Sequence, residues 1–391
     1  MFVFLSFIFV LIVSTNTVLS ECDFNSSKFR YELNKPNNIE LISINIPKND
    51  KWMRNFFKIY LSENPNIHPK QKKSFRAKIK VRYKFGICNF SGRIRQNGDW
   101  KDHLAVLEGG IYLRSVDVKL DYGNILGAVR FKLLIPKTRN GSNEVLATLI
   151  LRESGFLSPE TFETQVIINN MKSKMIFQEV ARKELLERNK RRESAIFEGD
   201  ETLLWSYKDY DNFHLQPLAL SRLENKNWFL KGKSSQIISL FAFSKLQSSY
   251  LRYSTSKIGK EKFWLKYIPN LNNVNSNIFP KYYLSLLAMN GSHAFTPHNM
   301  KFYFNPIIGE FEPIYYDGMI KFSNLDLSKA REFVSKINPI SEKYFEELML
   351  NNSKIFLKEQ FIRRTKMETN KSSLFFDTSL KIYIENLKKL K

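Results

Sequence analysis

Two short aromatic runs near residue 300 constrain the fold of this chain more than any other segment. Residues 301–304 read Lys-Phe-Tyr-Phe and residues 311–316 read Phe-Glu-Pro-Ile-Tyr-Tyr, with Asn-Pro-Ile-Ile-Gly-Glu between them. Such runs around a turn that contains Pro and Gly are typical of a β-hairpin. We therefore predict a hairpin over residues 299–317 that brings its two ends, Asn299 and Asp317, side by side.

These two ends carry oxygen atoms that suit a metal ion. An amide oxygen beside a carboxylate favours a hard divalent cation such as Mg²⁺, with phosphate oxygens as further ligands. Asn299 and Asp317 are therefore the predicted metal ligands. The alternative is that Asn299 caps a helix and Asp317 lies in an ordinary turn, because both residue types are common at those positions.

The N-terminus predicts export. The first 20 residues contain no charged side chain, and an apolar run over residues 2–13 precedes Val18-Leu19-Ser20. This pattern is typical of a signal peptide cleaved before Glu21, which predicts a secreted, periplasmic or cell-envelope protein. An uncleaved anchor is the alternative, since the whole segment approaches membrane-spanning length.

The chain contains two cysteines, Cys22 and Cys88. In an oxidising compartment they are expected to form a disulfide, and the alternative is two free thiols. The Cys and His spacing predicts no zinc site.

The formal net charge of +23 limits the choice of partners. A basic surface favours nucleotides, acidic glycans or an anionic lipid surface. No nucleic-acid-binding motif is present, and an exported protein rarely meets DNA. We therefore do not predict a nucleic-acid partner.

Hydrophobic periodicity predicts an α+β chain. Strands are predicted by alternation or by apolar runs at residues 75–83, 115–120, 129–135, 164–168 and 175–177, and residues 92–100 are predicted as a strand that enters a Gly loop. A helix is predicted over residues 143–153, ended by Gly155. This order divides the chain into a signal peptide (1–20), an N-terminal extension (21–74), a β-rich lobe (75–180) and a mostly helical lobe (181–391) that contains the hairpin.

Six stretches match, in order, the motifs of a known family: residues 92–103, 115–120, 131–144, 151–159, 167–179 and 298–317. They resemble the CotH kinase-like family, named for a spore-coat protein kinase. The resemblance implies a two-lobed protein-kinase-like fold that binds ATP and Mg²⁺ between its lobes. It also implies phosphoryl transfer to a protein or envelope acceptor whose identity the sequence does not give.

The resemblance also implies roles for single residues. Lys119 or Lys132 would hold the α- and β-phosphates, and Glu144 would orient that lysine. Gln178 and Glu179 would lie near the adenine.

One position departs from the family pattern. The Asp expected five residues before the metal-binding Asn is Ala294. His293 would then act as the base, since an imidazole accepts a proton near neutral pH. The alternatives are a structural His293 in a catalytically inactive pseudokinase, and a basic binding module for acidic glycans.

Overall fold

The computed structural model describes residues 21–24, 31–199, 222–255, 277–296, 299–335, 341–350 and 353–391. The predicted signal peptide, residues 1–20, lies outside these ranges. Among the helices of the described ranges, none combines the length and apolar character needed to cross a membrane.

Seven strands of the described chain close into a β-barrel. The described ranges contain fourteen strands in all: β1 (Glu21–Phe24), β2 (Ile39–Asn45), β3 (Ser74–Tyr83), β4 (Gly86–Gln96), β5 (Leu104–Leu107), β6 (Ile111–Arg114), β7 (Val116–Leu120), β8 (Arg130–Leu134), β9 (Thr161–Ile168), β10 (Met171–Glu179), β11 (Ile196–Glu198), β12 (Arg222–Leu223), β13 (Lys301–Asn305) and β14 (Glu310–Ile314). The barrel order is β4-β3-β2-β9-β10-β8-β7, and β7 pairs back onto β4. β2 and β9 run parallel, and the other neighbours in the barrel are antiparallel.

The closed barrel shows that the predicted two-lobed kinase-like fold is wrong. β4 is 11 residues long, so it pairs with β3 along one edge and with β7 along the other. Gly92 permits this closure, because a Cβ atom there would lie 2.5 Å from the carbonyl oxygen of Lys119. Two backbones can approach this closely only where one residue is a glycine, which has no side chain.

The barrel wall follows the alternation seen in the sequence. On β3, Ile79 and Val81 are buried inside, whereas Lys78 and Lys80 are exposed outside. This separation is the usual consequence of the two-residue period of a strand. The interior is filled by apolar side chains from the barrel strands, including stacked Phe131, Phe162 and Phe177.

The described helices lie mostly after the barrel. They are α1 (Asn49–Tyr60), α2 (Ser142–Glu153), α3 (Lys183–Arg188), α4 (Lys226–Phe229), α5 (Lys233–Thr255), α6 (Ile278–Ala288), α7 (Leu327–Val334), α8 (Glu342–Leu348), α9 (Lys354–Arg364) and α10 (Thr369–Leu390). The helix predicted over 143–153 is confirmed as α2.

A second apolar core lies beyond the barrel. It contains side chains of α2, of the later helices and of a small sheet ordered β12-β11-β13-β14. A hairpin is confirmed over residues 301–314, with Lys301 of β13 opposite Ile314 of β14. The predicted bounds of 299–317 are too wide, because Asn299 and Asp317 lie outside the paired strands. After β14 the chain leaves the hairpin, because the Tyr315 N–H donates to the carbonyl of Leu157 at 2.9 Å. Residues 315–317 therefore run toward side chains of the barrel wall and of α2.

Candidate functional site

Charged and polar side chains converge where the barrel wall meets the chain that follows β14. We call this set the junction cluster: Lys132, Arg139, Glu144, Gln178, Lys301, Tyr315, Tyr316 and Asp317. Lys132 of β8 and Gln178 of β10 are directly opposed in the barrel. Both lie on its outer face, because their neighbours Phe131 and Phe177 fill the interior.

Three cations surround the ring of Tyr316. The Lys132 Nζ donates to the Tyr316 hydroxyl at 2.9 Å and lies 4.4 Å from the ring centroid. The Lys301 Nζ lies 4.6 Å from the same centroid, and the Arg139 guanidinium carbon lies 5.7 Å from it. The ring face attracts each cation, but the cations repel one another and would be stabilised by an anion.

Lys132 lacks an acidic partner of its own. Lys301 also pairs with Glu198, whereas Lys132 forms no ion pair within the described part of the chain. Burial, together with the charge of Arg139, lowers the pKa of Lys132. A partly buried amine in this position would gain most from a bound anion.

Asp317 has one satisfied and one unsatisfied carboxylate oxygen. Its Oδ2 lies 3.0 Å from a terminal nitrogen of Arg139, whose residue is 3 % exposed. Burial disfavours the charged guanidinium, but Asp317 together with Tyr316, Glu144 and Tyr315 outweighs burial and raises the pKa of Arg139. The other oxygen, Oδ1, is buried without a hydrogen-bond partner. An orphaned carboxylate oxygen of this kind fits a divalent cation.

Glu144 is held by two neutral donors. The Gln178 side-chain amide donates to Oε1 at 2.7 Å, and the Tyr315 hydroxyl donates to Oε2 at 2.6 Å. Glu144 is fully buried, and burial raises its pKa to about 7. The predicted role, in which Glu144 orients a lysine directly, is therefore not the arrangement observed.

The other predicted phosphate and adenine residues are separated from the cluster. Lys119 is exposed on the outer wall between Arg93 and Arg130. Glu179 pairs with Arg188 and accepts from the Glu160 N–H at 3.1 Å. Of the two lysines predicted to bind phosphate, only Lys132 belongs to the junction cluster. Of the two residues predicted near the adenine, only Gln178 does.

Asn299 is fixed by the residue predicted as the base. Its side-chain amide nitrogen donates to the carbonyl of His293 at 3.1 Å. The His293 residue is exposed, whereas Ala294 is buried. Asp317 pairs with Arg139, whereas Asn299 donates to the carbonyl of His293. The two predicted metal ligands therefore have different partners.

Sequence reasoning missed Arg139, Lys301 and Tyr316. The Lys132–Tyr316 bond joins residues 184 positions apart, and no local pattern predicts a contact of that separation. The one signal in the sequence is the Tyr315-Tyr316 pair immediately before Asp317.

A second basic feature lies on the outer barrel wall. Arg76 opposes Arg93, Arg93 opposes Lys119, and Lys119 opposes Arg130. Arg130 is neutralised by Asp117, whose Oδ1 accepts from its Nε at 2.8 Å. Like charges directly opposed across a sheet are destabilising. We call Arg76, Arg93 and Lys119 the outer basic row.

An open groove lies on the same wall. It has a volume of about 890 Å³ and is lined by the charged side chains Lys78 and Lys80. Polar residues of neighbouring strands and turns also line it: Ser43, Asn45, Asn49, Asn89, Ser91, Asn169 and Asn170. The rest of its lining is apolar: Ile44, Ile46, Pro47, Ile79, Phe90 and Ile167.

No protein-family model matches this chain, and no curated protein matches it. The resemblance to the CotH kinase-like family therefore depends on the six motif stretches alone.

Proposed function

We propose that the junction cluster binds the phosphate groups of a nucleotide such as ATP, together with Mg²⁺. The observation that carries the proposal is Lys132, a partly buried amine with no carboxylate partner in the described chain, whose neighbours are Arg139 and Lys301. Such a set of cations favours an anionic ligand, and phosphate oxygens accept charge-assisted hydrogen bonds from lysine and arginine. The proposal depends on these side chains and not on a kinase-like fold.

The protein supplies few ligands for the metal. Within the described ranges, no group of three or more His, Cys, Asp or Glu side chains forms a metal site. Mg²⁺ commonly uses one or two protein carboxylates, with phosphates and waters as the rest. Asp317 Oδ1 is the first ligand that we propose, and the amide oxygen of Asn299 is the second.

We further propose that the bound nucleotide donates a phosphoryl group. Phosphoryl transfer needs positioned charges more than covalent chemistry, and Lys132 and Arg139 provide them. Ala294 provides no base, so His293 would accept the proton of an acceptor hydroxyl. Binding without transfer to any acceptor would favour the pseudokinase alternative.

Two lysine variants test the site. Lys132→Met removes the charge but keeps an apolar stem, and it should weaken Mg-ATP binding by about tenfold or more, given the usual strength of a charge-assisted hydrogen bond. Lys119→Met removes the same charge from the outer wall and should leave the affinity for Mg-ATP unchanged. Isothermal titration calorimetry on both variants measures this. A larger loss for Lys119→Met would contradict the proposed site.

His293→Ala tests the transfer step separately. Turnover should fall roughly 10²–10⁴-fold, the usual contribution of a general base, with little change in affinity for Mg-ATP. Because His293 is exposed, this change should not disturb folding.

A second candidate function is the binding of an acidic glycan by the outer wall. Arg76, Arg93 and Lys119 form no ion pair with the described residues, so the outer basic row places uncompensated cations in register. The groove beside it carries amide and hydroxyl groups that suit sugar hydroxyls. Net charge alone would not favour one face, whereas this arrangement concentrates charge on one wall.

Salt elution from a heparin column tests the second function. Changing Arg76, Arg93 and Lys119 to Gln should lower the eluting salt concentration, because fewer counterions are exchanged on binding. The matched control changes Lys381, Lys388 and Lys389 of α10 to Gln, which removes the same charge from exposed positions. Equal shifts in the two variants would mean that binding follows net charge and not this wall.

We also propose that the mature chain is exported. The uncharged apolar N-terminus supports this, and so does the Cys22–Cys88 disulfide, since such bonds persist mainly in oxidising compartments. N-terminal sequencing of protein from the cell envelope should find Glu21 first. An intact Met1 on a membrane-bound product would contradict cleavage.

A further inference from the structure

A half-enclosed cavity lies at one end of the barrel, and none of the junction-cluster side chains lines it. It shares Asn49, Asn169 and Asn170 with the open groove on the outer wall. It is formed by α1, β6 and the turn between β9 and β10, and its volume is about 210 Å³. Most of its lining is apolar or aromatic, including Trp52, Met53, Phe56, Tyr112 and Met175. An apolar cavity of about 150 Å³ holds a benzene molecule, so this one has room for a single ring with a short side chain.

One charged side chain, Arg114, lies among these apolar residues. Arg114 ends β6, lines the cavity and is 4 % exposed. Its guanidinium carbon lies 3.8 Å from the centroid of the Trp52 ring and 4.9 Å from that of Phe56. One terminal nitrogen donates to the Trp52 carbonyl at 3.2 Å.

The charge of Arg114 is not compensated. Its other terminal nitrogen is buried without a hydrogen-bond partner, and no carboxylate of the described residues forms an ion pair with it. Burial lowers the pKa of Arg114 to about 9. That value still leaves the guanidinium mostly charged at neutral pH. An unpaired buried cation is costly unless an anion accompanies it.

We propose that this cavity binds a small aromatic monocarboxylate. The carboxylate pairs with Arg114, since a guanidinium presents two donors that match a carboxylate. The ring of the ligand packs among Trp52, Phe56 and Met175. A dicarboxylate is disfavoured because its second charge would have no partner among these side chains.

Equilibrium dialysis with labelled phenylacetate and its neutral analogue phenylacetamide tests the proposal on the mature chain. Phenylacetate should bind at least about tenfold more tightly than the amide, the usual value of a charge-assisted hydrogen bond. Arg114→Met should abolish this difference, whereas Arg54→Met, an exposed arginine of α1, should preserve it. Met53→Trp fills the cavity without changing its charge, and should abolish binding of both compounds.

Folding does not confound this test. Arg114→Met replaces an unpaired buried charge by an apolar side chain, so its thermal midpoint should equal or exceed that of the wild type. The proposal is overturned if phenylacetate does not bind, if the amide binds equally well, or if Arg114→Met retains the preference.

Discussion

At the scale of single residues, the two acidic side chains of the junction cluster are held in different ways. Glu144 accepts two hydrogen bonds from neutral donors and has a pKa of about 7. Asp317 faces the buried Arg139 and keeps one oxygen without a partner. Glu144 is therefore a group whose charge depends on pH near neutrality, and Asp317 is the group that supplies charge to a cation.

Glu144 should make stability depend on pH. Its folded-state pKa lies above the ordinary value of 4.5, so the folded protein binds this proton more tightly than the unfolded chain does. The contribution is complete below about pH 4.5 and is lost as the pH rises through about 7, a change of about 3 kcal/mol. Urea unfolding of wild type and Glu144→Gln should show the wild type losing stability relative to the variant over this range.

Glu187→Gln on α3 is the control for this pH dependence, because the Glu187 side chain is more than half exposed and its ion-pair partner Lys183 is exposed as well. It should leave the pH dependence unchanged. Parallel curves for wild type and Glu144→Gln would mean that Glu144 titrates near its ordinary value.

Asp317→Asn should destabilise the fold as well as the site. The change leaves the Arg139 guanidinium, which is almost fully buried, without its carboxylate. Breaking a buried ion pair from one side costs roughly 3–5 kcal/mol. Urea unfolding should show a lower midpoint for Asp317→Asn and an unchanged one for Asp121→Asn, which changes an exposed aspartate after β7. Equal midpoints would mean that Arg139 does not depend on Asp317.

At the scale of elements, barrel closure depends on the contact between β4 and β7. Gly92 lies opposite Leu120 in that pair. Arg93 of β4 and Lys119 of β7 belong to the outer basic row, so closure also sets their register.

Gly92→Ala should weaken the barrel. The added Cβ would lie 2.5 Å from the Lys119 carbonyl oxygen, so a strand must move, and overpacking of this kind costs about 1–3 kcal/mol. Denaturant unfolding measures the loss. Ser91→Ala changes the adjacent position and should be nearly neutral. An unchanged midpoint for Gly92→Ala would contradict the close approach.

The Cys22–Cys88 disulfide joins β1 to β4 across their antiparallel pairing. The bond closes a loop with a sequence separation of 66, and loop-closure entropy for that length is about 4 kcal/mol. Because the bond joins both cysteines of the chain, the denatured, unreduced protein should show no free thiols. Changing both cysteines to Ser should lower stability by up to this amount. Two titratable thiols in the wild type would contradict the bond.

At the scale of the whole molecule, local patterns predicted several of the strands and helices but not how the strands assemble. The strand at residues 75–83 followed from strict alternation, and the helix at 143–153 from apolar spacing. β2 alternates only weakly in the sequence, yet it pairs with both β3 and β9. Closure depends on pairings between distant strands, which side-chain periodicity does not encode.

The same limit applies to the site. Lys132, Glu144 and Gln178 were predicted through motif resemblance and Asp317 from the hairpin pattern, and the structure places all four in the junction cluster. Arg139 was not predicted, because its contacts with Tyr316 and Asp317 form only when residues 315–317 fold back beside it. Lys119 and Lys132 looked equivalent in the sequence, and the position of Tyr316 distinguishes them.

The central claim, that the junction cluster binds a nucleotide through its phosphates and Mg²⁺, is tested most directly by one calorimetric titration. ATP is titrated into the mature protein with Mg²⁺ and again with a chelator, at low temperature so that the destabilised Asp317→Asn variant remains folded. We predict saturable binding by the wild type with Mg²⁺, much weaker binding with the chelator, and no effect of Mg²⁺ on Asp317→Asn. Absence of binding by the wild type, or equal affinity with and without Mg²⁺, would contradict the claim.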